Sequence, residues 1–224
     1  AIRTATSKDF LKWENQQDLT YVDSPAEQLY TNQIKPYHRA PHVLLGFPAR
    51  YVERAWTPSL QALPEKEHRE WRSGASKRYG TAITDSLLMS SRDGVRFKRW
   101  NESFLRPGIE RPGTWNYGHQ YIAWHLVETK SPWEGAPNEL SLYATEIYWT
   151  GRSSVVRRYV LRLDGFVSIN APLSGGELVT RPVTFTGRSL TVNFATSAAG
   201  DLRVEVQDAG IGMSADDLGR LLGG

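Results

Sequence analysis

Two short stretches constrain this chain more than any other feature: Ser7-Lys8-Asp9-Phe10 leading to Trp13, and Ser91-Arg92-Asp93-Gly94 leading to Phe97 and Trp100. In each, an aspartate at the centre of a polar corner can accept backbone N–H groups. The second also ends on glycine, which takes a positive φ without strain. An aromatic side chain follows within a few residues and can cover the turn. Leu163-Asp164-Gly165-Phe166 is a weaker echo of the pattern. One Asp-Gly hairpin is commonplace, but two Ser-x-Asp corners with a following Trp indicate one strand-turn-strand unit used repeatedly. The expectation is an all-β chain.

The rest of the sequence is consistent with that expectation. Between Tyr30 and Tyr51 two extended runs, LYTNQIKPY and HVLLGFPARY, flank an Arg39-Ala40-Pro41 corner, and Pro36, Pro41 and Pro48 forbid a long helix there. Residues 60–72, LQALPEKEHREWR, have helical composition, which predicts a helical turn or an exposed loop. The Pro/Gly-rich segment 105–118 is expected as loop. Strands or strand pairs are expected over 119–129, 139–149 and 155–163. From Asp164 the texture changes to short strands punctuated by Gly175-Gly176, Gly187 and Gly200, which predicts a β-sandwich segment over 164–208.

At 224 residues the chain can bury a substantial core, as one large domain or two small ones. The 25 aromatic residues suit strands and carbohydrate stacking faces alike, and most are expected in the core. With no cysteine, disulfides, thiolate metal sites and a Cys nucleophile are excluded. No run approaches the roughly 18 apolar residues of a membrane span, and the N-terminus has no apolar signal core. A net charge of +3 is scattered among 24 acids, so no nucleic-acid partner is expected. There is no P-loop, no dinucleotide-binding glycine fingerprint and no Gly-x-Ser-x-Gly elbow. His119 and His125 lack the spacing of a zinc helix. No cofactor or metal is expected.

The Ser-x-Asp corners resemble the turns between the two outer strands of propeller blades in sialidases and in glycoside hydrolase families 32 and 43. The wider sequence resembles uncharacterised bacterial proteins related to those hydrolases. The segments that carry the likeness are LYTNQIKPYHRAPHVLLGFPARY, TDSLLMSSRDGVRFKRW, LSLYATEIYW, RRYVLRLDGFVSI and GGELVTRPVTFTGRSLTVNFATSAAGDLRVEVQDA. The resemblance implies partial β-propeller blades over 1–163, a β-sandwich segment over 164–208 and an atypical tail over 209–224. It divides the first region into an outer half-blade at 1–20, a full blade with an insertion at about 27–103 and a further blade at about 114–163. It makes Asp9 and Asp93 structural rather than catalytic. Relatives carry further blades that would hold the nucleophile-type aspartate. The terminal DAGIGMSADDLGRLLGG resembles the Asp-x-Gly-x-Gly-Met box of histidine-kinase-type ATPases at Asp208, Gly210, Gly212 and Met213, but there is no room for the α/β domain that box requires.

Glycoside hydrolysis needs two carboxyl groups across the glycosidic bond, one protonated and one acting as base or nucleophile. The expected acid/base pair is Glu110, on a Pro/Gly loop, and Glu146, within an aromatic strand where burial would raise its pKa. Expected saccharide contacts are Asn32, Arg39, Trp115, Tyr117 and His119, with Tyr30 and His38 able to line the same pocket. Each has a plainer reading. Glu146 can pair with an arginine on a wet face, Trp115 can pack against a neighbouring sheet, Arg39 can hold the corner before Pro41, and Asp85 can cap a strand. The expected activity is therefore that of a glycoside hydrolase, with a non-catalytic carbohydrate-binding or structural module as the alternative. A secreted or periplasmic location is expected over a cytoplasmic one. Blades with open strand edges would favour a homo-oligomer.

Overall fold

The computed structural model describes residues 2–148, 154–184 and 186–207. The ATPase-like tail from Asp208 onward and Trp149 of the LSLYATEIYW strand lie outside the described residues. The chain divides into two units, Ala1–Leu163 and Asp164–Gly224. The fold is all-β in character, with several sheets and a minor helical insertion.

The first unit begins with β1 (Arg3–Thr6) and β2 (Glu14–Asp18), an antiparallel hairpin pairing Arg3 with Asp18. β3 (Thr20–Val22) follows directly, and then β4 (Gln28–Leu29), β5 (Lys35–Tyr37) and β6 (Ala40–Gly46). The expected run HVLLGFPARY is broken at Pro48, which lacks an N–H for a ladder, so β7 (Ala49–Val52) leaves β6 for another sheet. Three short helices come next: α1 (Pro58–Gln61), α2 (Lys66–Ala75) and α3 (Lys77–Thr81). They realise the helical composition seen over 60–72 and extend it at both ends. Thr57 starts α1 by accepting the Leu60 N–H at 3.3 Å, with Pro58 in the first helical position. β8 (Ile83–Ser86), β9 (Met89–Ser91) and β10 (Arg96–Arg99) return the chain to the sheets. β11 (Ile122–Thr129), β12 (Glu139–Glu146) and β13 (Val155–Arg162) complete the unit.

Four strands, β5, β6, β9 and β10, form an antiparallel meander in chain order, with β3 added in parallel outside β10. The segment β7 to β8 is an excursion from that meander and builds a separate sheet in the order β4-β7-β8. β11-β12-β13 is a second antiparallel meander, with a register shift where Trp124 takes φ 63. One core cluster gathers Leu19, Met89 and Phe97 with Ile34 and Leu44; a second gathers Leu60, Leu63 and Ile83 with Trp56 and Trp115.

Both Ser-x-Asp corners join consecutive antiparallel strands, β1 to β2 and β9 to β10, and they share one hydrogen-bond set. Ser7 Oγ accepts the N–H groups of Asp9 and Phe10 (3.4 and 2.8 Å), and Asp9 Oδ1 accepts those of Leu11 and Lys12 (both 2.8 Å). Ser91 Oγ accepts from Asp93 and Gly94 (3.2 and 3.0 Å), and Asp93 Oδ1 from Val95 and Arg96 (both 2.8 Å). In both turns the serine hydroxyl donates to the aspartate. The residue after the aspartate has positive φ in each, 64° at Phe10 and 76° at Gly94. The echo at Asp164 is built differently, with φ 59° at the aspartate and its carbonyl accepting the Phe166 N–H at 3.0 Å.

The described residues of the second unit, 164–184 and 186–207, carry none of the strands expected of a β-sandwich. Val167, Ile169, Val179, Val192, Phe194 and Val204 are exposed. A sandwich needs two facing sheets, typically from about 100 residues. The glycine-punctuated texture supplies turn signals but no opposing face to bury the alternating apolar side chains.

Candidate functional site

The loop 105–121 is the part of the first unit where polar and aromatic groups converge. It is pinned from below by α2. Buried Arg69 donates to the carbonyls of Trp115 (2.7 Å), Thr114 (2.9 Å) and Pro64 (3.0 Å), and burial lowers its pKa to about 10. Glu65, itself at φ 59°, accepts the Gly113 N–H at 2.5 Å. Trp115 donates from Nε1 to the Gly108 carbonyl at 2.8 Å and packs on the Leu60–Leu63–Ile83 cluster.

Beyond Trp115 the chain runs between β8 and β12. Thr84 Oγ1 donates to the His119 carbonyl at 2.8 Å, and Ser86 Oγ donates to that of Gln120. The Gln120 N–H donates to the Thr145 carbonyl at 2.8 Å, and the Thr145 N–H to Tyr121 at 3.1 Å. Gly118 sits at φ 86° against the Tyr148 ring, where any Cβ would overlap it. The strand expected from 119 begins only at Ile122, because Gln120 at φ 58° interrupts the extended backbone.

One side of this segment is polar and buried. Glu146, 4% exposed at the end of β12, accepts Tyr159 Oη at 2.5 Å and Arg157 Nε at 2.8 Å, and Arg111 approaches to 3.7 Å. Tyr159 in turn accepts from Gln120 Nε2 at 3.1 Å. Burial works to raise the Glu146 carboxyl, but the hydrogen bonds from Tyr159 and Arg157, with the Arg157 charge, hold it below the ordinary glutamate range. Glu146 is thus an ionised group, whereas a general acid would need its pKa raised. His119 is fully buried and neutral. Its Nε2 accepts the Ile147 N–H at 2.6 Å, which leaves the ring proton on Nδ1, and burial lowers its pKa to about 4.

The other side is a group of tyrosines. Tyr117 meets Tyr79 (ring centroids 5.4 Å) and Tyr51 (6.0 Å, edge to face), and Tyr121 stacks on exposed Tyr30 at 5.8 Å. Tyr148 acts electrostatically on Tyr117 and Tyr121, which places it beside both. Burial raises the phenol pKa of Tyr117, Tyr121 and Tyr51, so these rings present neutral hydroxyls.

Of the expected site residues, Glu146, His119, Tyr117 and Trp115 fall within this one region. Glu110 is exposed on the same loop, one position before Arg111. The Asn32 carbonyl accepts the Phe47 N–H at 2.8 Å while its side chain faces solvent. Arg39 stands at the tip of the β5–β6 hairpin beside Glu128, which also pairs with His38 at 2.9 Å. Sequence reading overlooked Tyr159, Arg157 and Gln120. The alternation of VVRRYVLRL puts residues 155, 157 and 159 on one strand face, but only the register pairing Glu146 with Val155 sets that face diagonal to the carboxylate. It also overlooked a second ion network. Arg50 donates to both oxygens of Asp85 (3.0 and 2.7 Å) and to Glu27 (3.0 Å), and Glu27 pairs with Arg99 at 2.9 Å. Asp85 is there an acceptor for Arg50 and Ser103 rather than a strand cap.

Among the described residues no group of three His, Asp or Glu side chains could hold a metal ion, and no helix is long and apolar enough to cross a membrane. No family model, curated protein or solved structure matches this chain.

Proposed function

We propose that this chain supplies blades of a sialidase- or glycoside-hydrolase-like β-propeller and binds a carbohydrate chain on its tyrosine surface. The observation that carries the saccharide reading is the convergence of Tyr30, Tyr117 and Tyr121 with Tyr51 and Tyr79 at the edge of the loop 105–121. Aromatic rings offer apolar faces to sugar C–H groups, and phenol hydroxyls hydrogen-bond sugar hydroxyls. The blade reading is supported by the meander β5-β6-β9-β10, which runs in chain order and closes its last hairpin with a Ser-x-Asp turn that β1-β2 repeats. Calorimetric titration with a panel of oligosaccharides tests the saccharide reading. A bound oligosaccharide should lose about tenfold or more in affinity in Tyr117→Ala, the loss of roughly 1.4 kcal/mol typical of an aromatic contact. Unchanged affinity in Tyr117→Ala and Tyr121→Ala together would end this assignment.

A second reading is glycoside hydrolysis, favoured by the Tyr159 hydroxyl held 2.5 Å from the buried Glu146 carboxylate. Glu146 would then act as the proton acceptor and exposed Glu110 as the donor, the reverse of what burial alone implies for Glu146. Turnover of aryl glycosides by Glu146→Gln and Glu110→Gln decides it. Loss in both supports the pair, and unchanged turnover in both leaves binding as the function.

A further inference from the structure

Several arginines of the first unit pair with carboxylates, whereas Arg78 on the tyrosine surface is held against rings. Arg3 pairs with Asp18, Arg50 with Asp85 and Glu27, Arg99 with Glu27, Arg111 and Arg157 with Glu146, and Arg158 with Glu139. Exposed Arg78 instead lies over aromatic rings, its guanidinium carbon 5.1 Å from the Tyr79 centroid and 5.8 Å from that of Tyr117. Its nitrogen reaches Tyr79 Oη at 3.5 Å, and the groups acting on it are phenols: Tyr79, Tyr117 and Tyr51. Arg72 is buried beside Tyr148, Tyr117 and Tyr79.

Resting on the carbohydrate reading above, we infer that the bound saccharide is acidic, a hexuronate-bearing chain whose carboxylate docks on Arg78 while its ring lies against Tyr117. A guanidinium already oriented on ring faces loses little further freedom on binding, and its planar fork matches a carboxylate in two parallel hydrogen bonds. The neighbouring phenols leave it exposed to solvent on its outer face, where a ligand can reach it. A neutral saccharide would use the rings and leave that charge unmatched.

The test compares an oligogalacturonate, a neutral xylo-oligosaccharide of equal length and a sulfated oligosaccharide by calorimetry on the full chain. The oligogalacturonate should bind about tenfold tighter than the neutral chain, with the preference shrinking as salt rises and vanishing in Arg78→Ala. Arg78→Lys, which keeps the charge without the fork, should retain part of it. Arg78 is exposed, so neither change should disturb folding, and unaltered thermal unfolding verifies this. Equal binding of neutral and acidic chains, with both still weakened by Tyr117→Ala, overturns the acidic inference and leaves the carbohydrate reading standing. Binding of the sulfated chain alone overturns the carboxylate assignment. Binding of none of the three overturns both readings.

Discussion

At the scale of single residues, the consequences follow from where protons and methyl groups can be accommodated. His119 is neutral in the folded chain with a pKa of about 4, against about 6.5 when unfolded. Below pH 6.5 the unfolded chain takes up a proton that the folded chain refuses. Stability should therefore fall between about pH 6.5 and 4, by roughly 3 kcal/mol at most, and show no further His119 contribution below that. Urea titrations across this range should show the slope, and His119→Gln should flatten it. The carboxylates of Asp9 and Asp93 are held below the ordinary aspartate range by backbone N–H groups. Their stabilisation is present above about pH 4 and lost as pH falls through the folded values. Asp93→Asn should lower the melting temperature at neutral pH and shrink the acid-side loss. Gly118→Ala combines φ 86° with a Cβ that overlaps the Tyr148 ring, and should cost about 2–4 kcal/mol in urea unfolding, with altered tyrosine near-UV dichroism.

At the scale of elements, α2 determines the shape of the loop that carries the candidate site. Arg69 satisfies three carbonyls from Pro64, Thr114 and Trp115, so Arg69→Ala leaves them buried and unpaired, at about 1–3 kcal/mol for each group left unsatisfied. Arg69→Ala should destabilise the chain and weaken the proposed saccharide binding, although Arg69 itself is buried. The β9–β10 hairpin belongs to the other core. There Phe97→Ala removes a fully buried ring packed with Met89 and Leu19, and should cost about 3–5 kcal/mol without changing the binding preference at Arg78. The sequence showed helical composition over 60–72, as a helical turn or an exposed loop, and α2 realises most of it. Its role as the support of the loop was not visible there, because Arg69 meets Thr114 and Trp115 across 45 and 46 positions of sequence.

At the scale of the whole molecule, the two units differ in what they bury. Every residue of the hydrophobic core and of the ion networks described above lies before Asp164. The described residues after it are almost all exposed and carry no strand ladder. Limited proteolysis should therefore cut within 164–207 well before it cuts the first unit, and mass spectrometry of the early fragments checks the order. Among the described residues β13 pairs on one side only, with β12, and it exposes Val155, Val156 and Val160. An eight-residue open edge of this kind favours strand addition by another copy. Light scattering should show mass rising with concentration, and Val156→Lys should reduce the rise.

The sequence by itself determined what is decided within a few residues: the two Ser-x-Asp turns, whose hydrogen bonds all close over two or three positions. It also determined that strands dominate, since alternation and turn residues act locally. Only the tertiary structure decided which groups meet. Glu146 acquires Tyr159 and Arg157 through strand register, Arg69 acquires its carbonyls through helix packing, and Tyr30 reaches Tyr121 across most of the first unit. A side chain's charge state and exposure depend on those distant neighbours. That is why the sequence leaves Glu146 between a buried acid and an arginine-paired carboxylate, and the fold holds it as a carboxylate between an arginine and a tyrosine.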